Sequence, residues 1–152
     1  MESQTYTYKY PRPAVTTDCV VFRIESNRLK TLLIERGNEP YKGCWAFPGG
    51  FLNMDENAEQ GALRELEEET GLKLEHIEEF GTFSEVNRDP RGRVISIAFF
   101  GITEHTEVKG GDDAAKAQWF SIDEIPPLAF DHDIMLEKAL NRLRKDHQEL
   151  FK

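Results

Sequence analysis

Residues 49–72 read GGFLNMDENAEQGALRELEEETGL. The stretch from Asn57 to Thr70 predicts a helix, with Gly71 standing where a left-handed C-terminal cap belongs. At about 100° per residue, Glu65, Glu68 and Glu69 fall within one arc of roughly 100°. Like charges at i, i+3 and i+4 destabilise a helix, and a sequence built for stability alone would interleave Lys. Here a single Arg64 stands four residues before Glu68, placed to orient it, while Leu63 and Leu66 share a neighbouring flank that can pack on a sheet. An acidic run is commonly just a solvated helix face. The glycine turn, the lone Arg and the capping Gly weigh instead toward a site for a hard divalent cation. Such a cation takes oxygen ligands and completes its shell with waters and phosphates. The turn at Gly49-Gly50 would leave backbone carbonyls free as further ligands.

Outward from this helix, residues 14–24 and 29–35 are apolar and β-branched, with a turn at Glu25–Asn27, and predict a hairpin. Residues 38–50 read as a loop with a short apolar patch at Trp45–Phe47. Strands are expected at 74–86, 93–103 and 117–120, separated by loops at 87–92 and 109–113. After Pro126-Pro127, Asp131 to about Arg144 predicts an amphipathic helix with Leu136, Ala139, Leu140 and Leu143 on one face. Mixed strands, one inserted helix, more strands and a terminal helix give an α/β (α+β) class, an α/β/α sandwich around a mixed sheet. One domain over 14–144 is expected, with residues 1–13 as an N-terminal arm or edge strand and 145–152 as a tail.

The chain has 152 residues, 19 Lys and Arg against 28 Asp and Glu, and a net charge of −9. That balance argues against nucleic acid or an anionic membrane as a partner. A small anionic substrate would need a cation or a local Arg cluster to receive it. No apolar run approaches a membrane span, and the start MESQTYTYKYPRP has no signal-peptide core. Cys19 and Cys44 show no metal-ligand spacing and are expected to be reduced, in a cytoplasmic protein.

The spacing of Gly50, Glu56, Arg64-Glu65-Leu66, Glu68-Glu69 and Gly71-Leu72 resembles the Nudix box, all nine positions filled within residues 50–72. The elements around it, over about 14–143, are similar to those of a Nudix domain. The resemblance implies hydrolysis of a nucleoside diphosphate linked to another moiety, with Mg²⁺ or Mn²⁺ as cofactor. It implies Glu65 and Glu69 as principal ligands, Glu68 sharing the metal cluster, and the Gly49 carbonyl as a further ligand. Arg64 would orient the carboxylates and Glu56 would brace loop and helix. Gly50 and Gly71 would serve backbone geometry, and Leu66 and Leu72 would anchor the helix.

Substrate choice belongs to the surrounding loops. Residues 83–100 read FSEVNRDPRGRVISIAFF, packing Arg88, Arg91 and Arg93 around Asp89-Pro90. A hairpin turn with solvated charges is one account, and a bidentate grip on phosphates is the other. The segment resembles that of ADP-ribose pyrophosphatase-like Nudix domains, with Pro90 falling 18 residues after Leu72. Arg36 is a phosphate-contact candidate or a solvated strand end. Trp45 and Phe47, with Tyr41, are a base-stacking wall or core filling. Tyr6, Tyr8 and Tyr10 alternate at strand period and leave a homodimer open. The resemblance implies a further carboxylate in a late loop, as general base or extra metal ligand. Asp112 and Asp113 are the leading candidates, Glu85, Asp89 and Glu104 are weaker, and the chain departs from the family pattern in carrying Lys116 where Glu is often expected. His76, His105, His132 and His147 lack ligand spacing, and His132 reads as part of the last helix's start.

Two rivals stand beside ADP-ribose hydrolysis. One is a nucleoside triphosphate pyrophosphohydrolase acting on oxidised nucleotides such as 8-oxo-dGTP. The other is a non-catalytic module that senses ADP-ribose; such regulators append a DNA-binding domain, and none is expected in the residues after the last helix.

Overall fold

The computed structural model describes residues 5–151, apart from 106, 109 and 111–113. Its elements are β1 (Ala14–Glu25), β2 (Arg28–Arg36), β3 (Trp45–Ala46), β4 (Gly49–Phe51), α1 (Ala58–Thr70), β5 (Glu78–Phe83), β6 (Val94–Ile102), β7 (Ala114–Ser121) and α2 (His132–Asp146), then a 3₁₀ turn over Gln148–Phe151.

Strand β1 organises the molecule because its apolar residues face both ways. Successive side chains on a strand point to opposite sides. Val20 and Phe22 enter a cluster with Met135, Leu136, Ala139 and Leu143 of α2, whereas Cys19 and Val21 join Ala62 and Leu66 of α1. A strand apolar on both faces must be covered on both, and the two helices cover it: an α/β/α sandwich. The sheet runs β3-β2-β1-β6-β5, with β4 also on β1 and β7 on β2. β1 and β6 are parallel and the other pairs antiparallel. The β1–β2 turn places Ser26 and Asn27 at φ 52° and 63°, the double positive φ that matches the twist of a tight hairpin.

Helix α1 begins in a reciprocal capping box. The Asn57 side chain accepts from the Gln60 N–H at 2.8 Å, and the Gln60 side chain accepts from the Asn57 N–H at 2.9 Å. It ends at Gly71, at φ 77°. Ala62 and Leu66 are fully buried beneath it; truncating Leu66 to Ala would cost about 2–5 kcal/mol.

Of the two expected alternatives for the N-terminus, residues 5–13 follow the arm, with Tyr6 and Tyr8 stacked on each other and exposed; Pro11 and Pro13 lack the N–H that a ladder needs. Two expectations change. The strand expected at 74–86 is confined to Glu78–Phe83, although Ile77 still packs in the core. The loop at 38–50 contains the short strands β3 and the start of β4.

Candidate active site

Strand β1 pairs with β2 only through Phe22–Glu25, and its earlier part, Thr16–Asp18, pairs with β4 instead. Strand β2 meanwhile pairs with β3 through Ile34 and Glu35. The two central strands therefore part company, and residues 45–51 fill the gap. A pocket of about 430 Å³ opens there. Gly49, Gly50, Asp18, Glu65 and Glu69 line it, together with Arg36, Arg88, Asp89, Arg91, Phe130 and His132.

The acidic side is held by Arg64. Its Nε and Nη2 donate to the two carboxylate oxygens of Glu56 at 2.9 and 2.7 Å. Its Nη1 donates to Glu65 at 2.9 Å and to Glu68 at 3.1 Å, and Nη2 also reaches the Phe51 carbonyl at 3.2 Å. The bidentate bond from Arg64 keeps Glu56 below the ordinary carboxylate range. Glu56 in turn accepts the Asn53 N–H at 2.8 Å, tying the loop to the helix. Glu69 is different. It is buried, and among the described residues its Oε2 has no hydrogen-bond partner. Burial first, then the hydrogen bond and charge of Glu65 and the charge of Asp18, push its carboxyl well above the usual range, against a backbone hydrogen bond from Gly49.

A buried carboxylate oxygen without a donor, beside two more carboxylates, is the chemistry of a hard divalent cation site. Gly50 supports the fit: a Cβ there would lie 2.6 Å from Glu65 Oε1, so the glycine makes room for that carboxylate. Among the described residues no three acidic, His or Cys side chains close into a cage, because Arg64 draws Glu65 and Glu68 toward itself. Glu68 lies outside the pocket lining.

Among the cationic lining residues, Arg88 donates through Nε and Nη2 to Asp131 at 2.9 and 2.7 Å, with its side chain only 4% exposed. Arg91 donates to Asp89 at 3.0 and 2.7 Å through Nε and Nη2, and its guanidinium lies 4.7 Å from the Phe51 ring and 5.2 Å from Phe130. Arg36 lies 5.0 Å from the Phe130 ring and donates to the Pro40 carbonyl at 2.7 Å. Arg93 turns away, donating to the carbonyls of Ser84 and Glu85 at 2.8 and 3.4 Å, outside the pocket lining. Phe47 is a buried core residue that also lines the pocket, whereas Trp45 packs edge-on against Phe120 in the α2-side core and does not line it. Glu104 lines a different cleft, and Lys116 is an exposed strand residue opposite Glu35. Asp112 and Asp113 lie outside the described residues.

Sequence reasoning missed Asp18, Phe51, Phe130, Asp131 and the part played by His132. Asp18 accepts a short hydrogen bond from the Ser96 hydroxyl and lies 3.7 Å from His132 Nε2. It was findable: a charged residue inside the apolar run AVTTDCVVF is rarely there for packing. His132 is buried, and burial pulls its pKa down. Its Nδ1 accepts the Phe47 N–H at 3.0 Å, which assigns the remaining proton of the neutral ring to Nε2, facing Asp18.

A family model described as "NUDIX domain" matches residues 12–139. The chain is 44% identical over 128 residues to the ADP-ribose pyrophosphatase of Methanocaldococcus jannaschii, covering 84% of this chain and 73% of that protein. It is 32% identical over 139 residues to the ADPR responsive transcriptional repressor NtrR of Acinetobacter baylyi, covering 88% of this chain but only 56% of the repressor. Among solved structures, the NUDIX domain of Shewanella oneidensis NrtR complexed with ADP ribose matches with a TM-score of 0.85 at 32% identity, over 91% of this chain and 94% of that one.

Proposed function

The chain belongs to the Nudix family, and from that premise we propose that it is a divalent-cation-dependent hydrolase that cleaves the diphosphate bridge of ADP-ribose. The products are AMP and ribose 5-phosphate. The observation that carries this reading is that one pocket is lined by two unlike groups: the carboxylates of Glu65, Glu69 and Asp18, and the guanidiniums of Arg36, Arg88 and Arg91. The likeness to an ADP-ribose pyrophosphatase at 44% identity supports it.

Glu65 and Glu69, with the Gly49 carbonyl and Glu68 beside them, would hold Mg²⁺ or Mn²⁺. When bound, the cation supplies charge neutralisation at the diphosphate and acidifies water. Arg64 keeps Glu65 and Glu68 aimed while Glu56 anchors Arg64 in return. Arg36 and Arg91 bring positive charge to the phosphates in a protein of net charge −9. Phe47 and Phe51 supply the apolar surface against which a nucleoside packs. Water adds its oxygen to one phosphorus as the bridging phosphorus–oxygen bond breaks. The released proton goes to a carboxylate, for which Asp112 and Asp113 are our candidates. Among the described residues no helix is long and apolar enough to cross a membrane. We place the enzyme in the cytoplasm, with Cys19 and Cys44 as free thiols, and leave its exposed Tyr6–Tyr10 arm as the surface for a homodimer.

A product-resolved panel with Mg²⁺ tests the proposal, using ADP-ribose, NADH, ADP-glucose, a diadenosine polyphosphate and 8-oxo-dGTP. AMP appearing fastest from ADP-ribose is the expected result. Pyrophosphate released preferentially from 8-oxo-dGTP would overturn the substrate while leaving the family. Binding of ADP-ribose without turnover would make the chain a sensor.

A further inference from the structure

Three consecutive residues at the head of α2 reach three separate parts of the pocket. Phe130 holds a φ of 53°, a left-handed conformation unfavourable for phenylalanine, and its ring carries the guanidiniums of Arg36 and Arg91. Asp131 stands at the N-cap of α2 yet makes no side-chain cap; its two oxygens go to Arg88, 43 residues away. His132 Nδ1 accepts the Phe47 N–H, 85 residues away. A helix start optimised for its own stability would spend the Asp131 carboxylate on the orphan N–H groups of the first turn. This one spends it on the pocket wall.

We infer that Phe130–His132 is the positioning element of the cationic wall: it fixes Arg36, Arg88 and Arg91 around the pocket, and so sets how tightly a diphosphate-bearing substrate is held rather than how fast its bridge is cut. The inference deepens the proposed function and rests on it. A long guanidinium side chain loses rotamer freedom when it clasps phosphate, and that loss weakens binding. Here the loss is taken on folding. The Phe130 ring attracts the two guanidiniums through its face, without occupying their N–H donors. The Asp131 carboxylate compensates an Arg88 charge that is otherwise buried, while leaving Nη1 outside the pair. His132 completes the element by fixing the backbone of Phe47, which lines the pocket floor.

The test compares the wild type with Phe130→Leu, Phe130→Tyr and Asp131→Asn. Steady-state hydrolysis of ADP-ribose with Mg²⁺ is one readout, and calorimetric binding of AMP without divalent cation is the other. Phe130→Leu should raise KM and the AMP Kd about tenfold, the worth of one or two cation–π contacts, with kcat nearly unchanged. Phe130→Tyr, which keeps the ring, should restore both. Asp131→Asn should act in the same direction; if it does not fold, Phe130→Leu decides, because it leaves the ion pair intact. A fall in kcat at constant KM, or wild-type AMP binding by Phe130→Leu, would overturn the inference. The two failures are separable: a wild type that makes no AMP from ADP-ribose takes the proposed function down and this inference with it, whereas an active wild type with unaltered variants removes the inference alone.

Discussion

The two walls of the pocket are encoded in different ways. Apart from Asp18 of β1, the acidic wall comes from one stretch, Gly49–Glu69, in which a glycine turn, a capped helix and a single arginine set the carboxylates in place. The cationic wall is gathered from Arg36 at the end of β2, Arg88 and Arg91 before β6, and Phe130–His132 at the head of α2. The first is written in helical periodicity, which survives any change in the rest of the fold. The second exists only once the sheet has brought residues 43 and 85 positions apart into contact. A local device suits the cation, whose demands are fixed, and a dispersed one suits a substrate whose shape varies between relatives.

The largest expected effect breaks the acidic wall. Glu69→Gln should lower kcat/KM about a thousandfold, because several kcal/mol of transition-state charge stabilisation is lost at about 1.4 kcal/mol per decade. The same variant should be at least as stable as wild type without cation, since it removes a buried carboxylate whose Oε2 has no partner among the described residues. Thermal unfolding with and without Mg²⁺ reads this: the wild type should gain stability from Mg²⁺ and Glu69→Gln should not.

Next is Arg64, which serves Glu56, Glu65, Glu68 and the Phe51 carbonyl at once. Arg64→Lys cannot reproduce a planar fork and should cost about 10–100-fold in activity, the usual effect of losing a group that orients metal ligands. Kinetics across a Mg²⁺ titration should show the loss as weaker cation dependence.

The two adjacent glycines sharpen the comparison further. Gly50→Ala places a Cβ against the movable end of Glu65, so it should fold normally yet need more Mg²⁺. Gly49→Ala meets the Thr17 backbone carbonyl, which cannot move aside, and should destabilise by about 1–3 kcal/mol. Denaturant unfolding and Mg²⁺ titration together separate the two.

The smallest effect concerns acid. Glu56 has its pKa lowered by Arg64, so its contribution to stability is present above the unfolded value near 4.5 and is lost as pH falls through the lower folded value. Glu56→Gln should therefore flatten the acid limb of a stability–pH curve, and leave the limb above pH 6 parallel to wild type.

The sequence's legibility follows the same division. The hairpin, α1, Gly71 and α2 were readable because each is signalled by its own residues: alternation, capping and 3.6-residue spacing. So were Glu65 and Glu69 as pocket residues. The arginines were visible only as a cluster, and nothing in the one-dimensional spacing distinguishes Arg88 and Arg91, which reach the pocket, from Arg93, which binds the carbonyls of its own loop. Trp45 and Phe47 are two residues apart on one segment and both pack in the α2-side core, yet only Phe47 also lines the site. Asp131 had a plausible local role at a helix cap, which hid its partner across the fold.

The most direct test of the central claim is the AMP formed from ADP-ribose by wild type and Glu69→Gln, each with Mg²⁺ and with chelator. Equimolar AMP and ribose 5-phosphate from the wild type with Mg²⁺, and background levels in the other three reactions, are predicted. Near-wild-type AMP formation by Glu69→Gln, or by the wild type in chelator, would contradict a cation-dependent site built on the acidic face of α1.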